Sequence, residues 1–468
     1  MVFSSILFLF VYLPVVLAVY YIVPARYRNL WLFIVNLVFY GWGEPVYILL
    51  MVFSIALNYA AGLLIARYRL TDDKKARAVL TVNTVVNLAL LIFFKYFDLL
   101  AATLSRIPGI SIPALGLTLP IGISFYTFQT MSYPIDVYRG DTEEQKNFIR
   151  FGTFVALFPQ LIAGPIVRYS DIAVQLKTRE HSVSEAASGA RRFILGLAKK
   201  ILLANLLGEL VSSFRASADL SVLYYWLGAI AFTLQIYYDF SGYSDMAIGL
   251  GRIFGFRFPE NFRYPYLSGS ITEFWRRWHI SLGSWFRDYL YIPLGGNRKG
   301  SARQLLNILL VWLATGLWHG AAWDFVLWGL LYAILLTAEK LFLLRGLQKL
   351  HVLNHVYVLL FVTLGFVLFD ASSVQDAAQS IRAMFGGGGL PLVSAESLYE
   401  LRSCTVLLLL AVAGATPLAK SLCAAVQRSR AGKTALAVLE PVGLTALLAV
   451  CTAFLVDGSF NPFLYFRF

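Results

Sequence analysis

The chain has 468 residues, of which 59% are hydrophobic and only 14% are charged, and its formal net charge is +13. This composition excludes an ordinary water-exposed surface and predicts a polytopic membrane protein. The basic residues lie mostly in short loops between apolar stretches, where membrane orientation explains them, so nucleic-acid binding is not indicated. The three cysteines lack paired spacing, which predicts neither a disulfide framework nor a zinc site.

The N-terminal third is predicted to alternate spanning helices with basic loops. The first apolar stretch, Ser4 to Val23, has no basic residue before it, so we expect a retained span and not a signal peptide. Loops rich in lysine and arginine face the cytoplasm, which places the N-terminus outside. Further spans are predicted at 29–42, 47–66, 78–96 and 112–133. The segment 154–167 is too short and too interrupted by proline and glycine to cross, and is predicted to be re-entrant.

Apolar stretches in the remaining chain predict spans at 193–211, 222–250, 305–320, 322–344, 352–369, 405–422 and 435–455, with a long basic cytoplasmic stretch at 252–303. The predicted fold is all-α, with about eleven to twelve transmembrane helices plus re-entrant and amphipathic segments. Both termini are expected outside.

Two histidines are the strongest candidates for chemistry. His319 lies in LWHGAAW, after Trp318 and near the end of an apolar span. A polar ring there is unfavourable unless it faces a cavity, and imidazole can accept a proton from a hydroxyl nucleophile. The alternative is a histidine that only bonds a carbonyl and locks two helices. His279 lies in WRRWHIS beside Trp278, and this piece alone favours an interfacial aromatic belt.

Charged residues give two weaker candidate sites. Arg276, Arg277 and Arg298, with Arg287 and Lys299 nearby, form a basic group that suits the phosphates of a nucleotide or pantetheine-type donor. Anionic lipids, or orientation alone, explain it equally well. Asp239, Ser241 and Asp245 form a polar island in an apolar helix, which suits a substrate path or, alternatively, helix packing through small residues. No metal site is predicted, because His351 and His355 lack a third ligand.

Long motifs in this chain resemble the membrane-bound O-acyltransferase family, in its bacterial AlgI-like branch of polysaccharide O-acetyltransferases, which is related to DltB-type D-alanyl transfer proteins. The resemblance rests on SFYTFQTMSYPIDVYRG (124–140), FPQLIAGPIVRY (158–169), YYDFSGYSDMAIG (237–249), NFRYPY (261–266), TEFWRRWHISLGSWFRDYLYIPLGG (272–296), GLWHGAAWDFVLWG (316–329) and the ending NPFLYFRF (461–468). The motifs occur in order along nearly the whole chain.

The resemblance implies one membrane-embedded domain over 1–468, with a catalytic core at about 120–345 around a central tunnel. His319 matches the catalytic histidine of the family, and His279 matches its second motif position. An acyl group would pass from a cytoplasmic thioester, acetyl-CoA or an acyl carrier protein, to an exopolysaccharide of the alginate type. The expected partners are an extracytoplasmic SGNH-type acetyltransferase, the polysaccharide and membrane lipids, in the bacterial inner membrane. No permanently bound cofactor is expected.

Two alternatives stay open at this point. One is a D-alanyl transfer protein of the DltB type, which would use a carrier protein as donor. The other is a non-catalytic acyl or lipid transporter, because broken helices and intramembrane acids are also features of transporters. No inverted internal repeat is visible in the sequence to support the transporter.

Overall fold

The computed structural model describes residues 2–162 and 164–458, and these residues form helices and connecting loops with no β-strand. The chain divides into two compact units: Met1–Phe193 with Ser244–Pro259, and Ile194–Tyr243 with Glu260–Phe468. The all-α prediction is confirmed. The motif NPFLYFRF lies outside the described residues.

The first unit begins with a π-helical turn at Phe8–Tyr12 and has a 3-10 turn at Ala25–Tyr27. Its helices are α1 (Leu13–Ile22), α2 (Arg28–Gly43), α3 (Ile48–Tyr68), α4 (Asp73–Leu104), α5 (Ile123–Arg139), α6 (Phe148–Ala156), α7 (Phe158–Leu161) and α8 (Tyr169–Lys177). Two further helices, α9 (Val183–Ala198) and α11 (Val222–Ile253), supply residues to both units.

The second unit contains α10 (Leu206–Ala216), α12 (Ile271–Arg277), α13 (Ile280–Phe286), α14 (Ser301–His319), α15 (Trp323–Ala338), α16 (Leu344–Leu347), α17 (Leu353–Asp370), α18 (Val374–Met384), α19 (Ala395–Ser403), α20 (Thr405–Gly414), α21 (Leu418–Val426) and α22 (Arg430–Asp457). A 3-10 turn occupies Pro265–Leu267. π-Helical segments occupy Lys199–Asn205, Arg287–Tyr291 and Glu339–Leu343.

Several helices are long and apolar enough to cross a membrane. In the part of the chain that the structure describes, these are Ile48–Tyr68, Asp73–Leu104, Trp323–Leu347, Leu353–Asp370 and Arg430–Asp457, with a sixth if the pair α19 and α20, bent by 55°, is one span. The first apolar segment is shorter, at Phe8–Ile22. The predicted total of eleven to twelve spans stays a prediction.

Two of the predicted spans have wrong boundaries. The stretch 112–133 is not one helix, because α5 begins only at Ile123, after Gly122 in a left-handed conformation (φ 74°). Pro113 and Pro120 precede it and disfavour helical backbone at the residues before them. The stretch 405–422 is also broken, since α20 ends at Gly414 and α21 begins after Pro417.

The segment predicted to be re-entrant is a broken helix inside the first unit. Its backbone leaves the helical conformation at Leu157 (φ −54°, ψ 105°), and its described residues are buried. Side-chain amides bond the backbone groups near this break. The side-chain amides of Gln129 and Gln160 donate to the backbone carbonyl oxygen of Phe154. The side-chain oxygen Oδ1 of Asn36 accepts a hydrogen bond from the Phe158 backbone amide. Irregular backbone is therefore shielded and bonded within the protein, as a membrane protein requires.

Helices α14 and α15 pack closely through two glycines in the second unit. A Cβ atom added at Gly316 would overlap the carbonyl oxygen of Phe325 and lie 3.4 Å from the Cα atom of Gly329. A Cβ atom added at Gly329 would overlap the carbonyl oxygen of Trp312. In a membrane no hydrophobic driving force brings helices together, so their association depends on close packing, which small residues allow. Gly316 stands one turn before His319, so this contact fixes the end of α14.

We expect Gly316→Ala to destabilise the protein by about 1–3 kcal/mol, because the added methyl group forces the two backbones apart. Thermal unfolding of the purified protein in detergent measures this loss. Gly443→Ala is the matched control, since a Cβ atom at this helical glycine meets no other atom within 4 Å. Equal melting temperatures for Gly316→Ala and the wild type would contradict the packing role of Gly316.

Candidate active site

His319 is the last residue of α14 and only 7% of its surface is exposed. Its ring packs edge-on against Trp328 of α15, with centroids 5.1 Å apart, and against Phe369 of α17, at 5.3 Å. The neighbouring Trp318 ring lies at 5.0 Å. The imidazole is thus held in an aromatic enclosure that leaves it few alternative rotamers.

His279 lies between α12 and α13 with its backbone in the left-handed region (φ 45°, ψ 52°). A non-glycine residue there is less stable by about 1–2 kcal/mol, and such backbones are concentrated at functional sites. The ring is 3% exposed and stands perpendicular to Phe240 of α11 at 4.5 Å. It also lies 5.9 Å from the Trp318 ring. Trp318 therefore contacts both candidate histidines, which the fold brings to one place.

Asn261 fixes the orientation of the His279 ring. The Asn261 Oδ1 atom accepts hydrogen bonds from the Ser281 amide at 3.1 Å and from the Ser281 hydroxyl at 2.8 Å. His279 Nδ1 lies 3.3 Å from the same oxygen. Because a backbone amide only donates, this atom must be the carbonyl oxygen, and Nδ1 must then carry the proton. Nε2 is left as a proton acceptor.

The Nε2 atom of His279 is buried and has no hydrogen-bond partner among the described residues. A buried acceptor of this kind is unusual in folded proteins, where polar atoms are nearly always paired. With Nδ1 fixed as a donor, His279 keeps one available lone pair on Nε2, in a ring that lies 5.9 Å from the Trp318 ring. An acceptor nitrogen of this kind can receive a hydrogen bond from a bound substrate.

A cavity of about 540 Å³ lies in the second unit beside the histidine enclosure. Phe369, whose ring contacts His319, forms part of its wall. Asp324 also lines it, at the start of α15, as do the ion-paired side chains of Arg215 and Asp370. The charge pattern of the sequence predicts an extracytoplasmic location for the ends of these elements. The cavity combines apolar walls with a few carboxylates, which suits a hydroxyl-rich ligand.

The predicted polar island is divided between two ion pairs. In the second unit, the Asp239 carboxylate lies 2.5 Å from Lys200 Nζ, with both side chains at most 4% exposed. Ser241 is buried there too, and its hydroxyl has no bonding partner in the part of the chain described. Asp245 belongs to the first unit, where it pairs with Arg192 at 2.8 Å. Both carboxylates are therefore paired with a cation. Their role, in a substrate path or in helix packing, stays a prediction.

The side chains of the predicted basic group lie in different environments. Arg277 pairs with Glu273 of the same helix at 2.6 Å, and Arg287 pairs with its neighbour Asp288. Arg276 and Arg298 are exposed. Trp278 lies in the apolar core, stacked on Phe274 with centroids 5.5 Å apart. A role of these residues in donor binding stays a prediction.

Two residues of the site were missed by the sequence reading. Asn261 is the first residue of the motif NFRYPY, and Asp324 follows LWHGAA closely. Asn261 carries no charge and stands 18 residues before the histidine that it orients, so no periodicity reveals it. Among residues 2–162 and 164–458, no group of three or more His, Cys, Asp or Glu side chains is arranged to hold a metal ion.

The family model of the membrane-bound O-acyltransferases (MBOAT) matches residues 143–369 of this chain. This range contains Asn261, His279, His319 and Asp324. A relative in Azotobacter vinelandii, named "Probable alginate O-acetylase AlgI", is 41% identical over the full length of both chains. The chain belongs to the membrane-bound O-acyltransferase family. The resemblance drawn from the sequence motifs is confirmed.

Two other bacterial relatives agree with this assignment. The protein of the same name in Pseudomonas aeruginosa is 46% identical over 83% of this chain and 75% of its own length. The peptidoglycan O-acetyltransferase of Helicobacter pylori is 34% identical over 84% of this chain and 81% of its own length. The protein is therefore a multi-pass membrane O-acyltransferase, which favours an enzyme over the transporter considered from the sequence.

We expect Asn261→Ala to reduce acyl transfer about tenfold or more, because loss of one buried hydrogen bond worth ~1.5 kcal/mol frees the His279 ring. Asn261→Asp keeps an oxygen acceptor for Ser281 and for Nδ1, so we expect it to retain most of the activity. Both variants are compared by initial rates at equal protein level. If Asn261→Ala is as active as the wild type, Asn261 does not orient a working His279.

Proposed function

We propose that this O-acyltransferase takes an acetyl group from a cytoplasmic thioester, acetyl-CoA or an acyl carrier protein, for O-acetylation of an exopolysaccharide of the alginate type. Its partner would be an extracytoplasmic SGNH-type acetyltransferase, and its location the bacterial inner membrane. The main support is one observation: two buried imidazoles are joined by a shared contact with Trp318. The names of the relatives support acetyl transfer to a glycan.

His319 is the general base in this proposal. Its ring nitrogen removes the proton from the acceptor hydroxyl, and the hydroxyl oxygen attacks the carbonyl carbon of the thioester. The new carbon–oxygen bond forms as the carbon–sulfur bond breaks. The leaving thiolate takes back the proton from the imidazolium, so that the products are an ester and a free thiol. The aromatic enclosure excludes water, which would otherwise hydrolyse the acyl group.

His279 has a positioning role in the same reaction. Its Nδ1 proton is committed to Asn261, so only Nε2 can contact a substrate or a bridging water. Nε2 in this tautomer accepts a hydrogen bond and cannot donate one. It therefore suits orientation of the acceptor hydroxyl or of the proton on its way from that hydroxyl, and does not suit stabilisation of a developing oxyanion.

In this proposal the acceptor substrate binds in the cavity that Phe369 lines. Asp324 lines this cavity, is 6% exposed and stands five residues after His319 in the chain. A carboxylate accepts hydrogen bonds from sugar hydroxyls and thereby sets which hydroxyl approaches the base. Entry of the acceptor from this side and of the thioester from the cytoplasmic side keeps the two substrates from competing for one opening.

His319→Ala should lower acetyl transfer by at least about a hundredfold, the lower end of the contribution of a general base. The measurement uses purified full-length protein with acetyl-CoA labelled in the acetyl group, and follows both thiol release and label in the acceptor. His351→Ala is the matched control, because His351 is exposed and lies outside the enclosure. Normal transfer by His319→Ala, with the control also normal, would overturn the proposal.

The same assay separates the possible donors. Acetyl-CoA and an acetylated carrier protein are offered in turn at equal concentration to the wild type. Thiol release from only the carrier protein would exclude the coenzyme as donor and favour chemistry of the DltB type. Movement of label across a sealed vesicle without any thiol release would instead indicate a carrier and contradict the enzymatic proposal.

A further inference from the structure

A second cavity, of about 500 Å³, is formed entirely by residues of the first unit. Basic side chains are unusually frequent in its wall, which contains the cations Arg26, Arg28, Arg150, Lys177 and Arg179 together with His181. Among the residues that the structure describes, no aspartate or glutamate lines it. The size is within the range of small-ligand cavities, and the lining is far more basic than such cavities usually are.

Three separate parts of the chain supply these groups. Arg26 and Arg28 follow α1, Arg150 belongs to α6, and the stretch from Lys177 to His181 joins α8 to α9. The distribution of charge predicts a cytoplasmic location for each of these parts. Orientation alone requires basic residues in cytoplasmic loops, but it does not require loops distant in sequence to line one cavity.

Arg179 is held in place by three hydrogen bonds within the unit. Its Nε atom donates to the Tyr20 hydroxyl at 3.0 Å, and its Nη1 atom donates to Asn29 Oδ1 at 2.7 Å and to the Gln175 carbonyl at 3.2 Å. These bonds leave its Nη2 atom without a described partner. The guanidinium is therefore fixed in orientation and still has donors to offer.

His181 holds Arg28 in the same way. The Tyr20 hydroxyl donates its one proton to the Phe254 carbonyl at 2.8 Å, so His181 Nε2, at 2.9 Å from that hydroxyl, must be the donor. His181 Nδ1 then accepts from Arg28 Nη1 at 3.3 Å. Burial, together with the charges of Arg28 and Arg179, lowers the pKa of His181, which keeps the ring neutral in this arrangement.

The positive charge of the three central arginines is not neutralised. None of the ion pairs among the described residues includes Arg28, Arg150 or Arg179. Among the described residues, Lys177 of the cavity wall does form an ion pair, with the exposed Glu143 at 3.5 Å. Burial lowers the pKa of Arg179, and Arg28 and Arg150 lower it further. Like charges gathered in a fixed arrangement are stabilised by a bound anion.

We propose that this cavity binds a phosphate ester group through Arg28, Arg150 and Arg179. Guanidinium groups pair with phosphate oxygens in a bidentate geometry, and several of them around one cavity match the tetrahedral group. The phosphate could come from an anionic phospholipid headgroup at the cytoplasmic surface or from a soluble phosphorylated compound. The site goes beyond the proposed acyl transfer, and it stands whether or not His319 is the base.

Arg150→Gln is the most informative variant, because no described hydrogen bond uses the Arg150 side chain and the fold should survive its loss. Lys74→Gln is the matched control: it removes one exposed positive charge of the same unit outside the cavity. Binding to purified full-length protein is measured with two probes, radiolabelled inorganic phosphate and phosphatidylglycerol, the latter by native mass spectrometry. Arg150→Lys keeps the positive charge but loses the bidentate guanidinium group, so we expect it to bind with intermediate affinity.

We expect the wild type and Lys74→Gln to bind at least one probe. We expect the affinity of Arg150→Gln to be lower by about tenfold or more, because a hydrogen bond to a charged group is lost. Binding of phosphatidylglycerol without inorganic phosphate identifies the lipid as the source. Competition by inorganic phosphate identifies a soluble compound. Absence of binding by the wild type, or equal affinities for Arg150→Gln and Lys74→Gln, would overturn the proposal.

Discussion

The geometry of the candidate site depends on a single carbonyl oxygen, Oδ1 of Asn261. It accepts from the Ser281 amide, from the Ser281 hydroxyl and from the His279 ring. These bonds hold the start of α13 against the loop before α12 and support a left-handed backbone at His279. They also settle which ring nitrogen carries the proton. Conformation and protonation of His279 are therefore set by the same atom.

Buried polar groups elsewhere follow the same principle of local satisfaction. Gln129 and Gln160 bond a carbonyl oxygen at the broken helix of the first unit, and Lys200 neutralises Asp239 in the second. In an apolar environment an unpaired backbone group or charge is strongly unfavourable. Several buried side chains are exceptions, among them the Ser241 hydroxyl and His279 Nε2. Bonding capacity also remains in the arginine-lined cavity of the first unit.

The sequence was most informative where a single residue broke an apolar pattern. His319 was a candidate because imidazole is rare near the end of an apolar helix, and the long helices α3, α4 and α22 could be predicted because their apolar runs are long. Boundaries failed where prolines interrupted an apolar stretch, as in 112–133, since composition alone does not show where a helix starts. The family followed from long ordered motifs, and the comparisons confirm it.

Contacts between distant parts of the chain could not be predicted. Arg28, Arg150 and Arg179 come from a stretch of about 150 residues, and only the fold of the first unit brings them to one cavity. The pairing of Asp239 with Lys200 is hidden for the same reason, because each residue read alone is an intramembrane charge without a partner. Asn261 is neutral and lies in a loop, so its importance depends entirely on what it contacts.

The decisive measurement is a structure of the full-length protein with an acetyl-CoA analogue that carries a methylene group in place of the thioester sulfur. If His319 and His279 form the site of acyl transfer, the analogue's carbonyl carbon lies in the enclosure beside Trp318, within reach of the His319 ring and of His279 Nε2. An acetyl group bound elsewhere, with no part of the analogue near the two histidine rings that Trp318 contacts, would contradict this assignment of the active site.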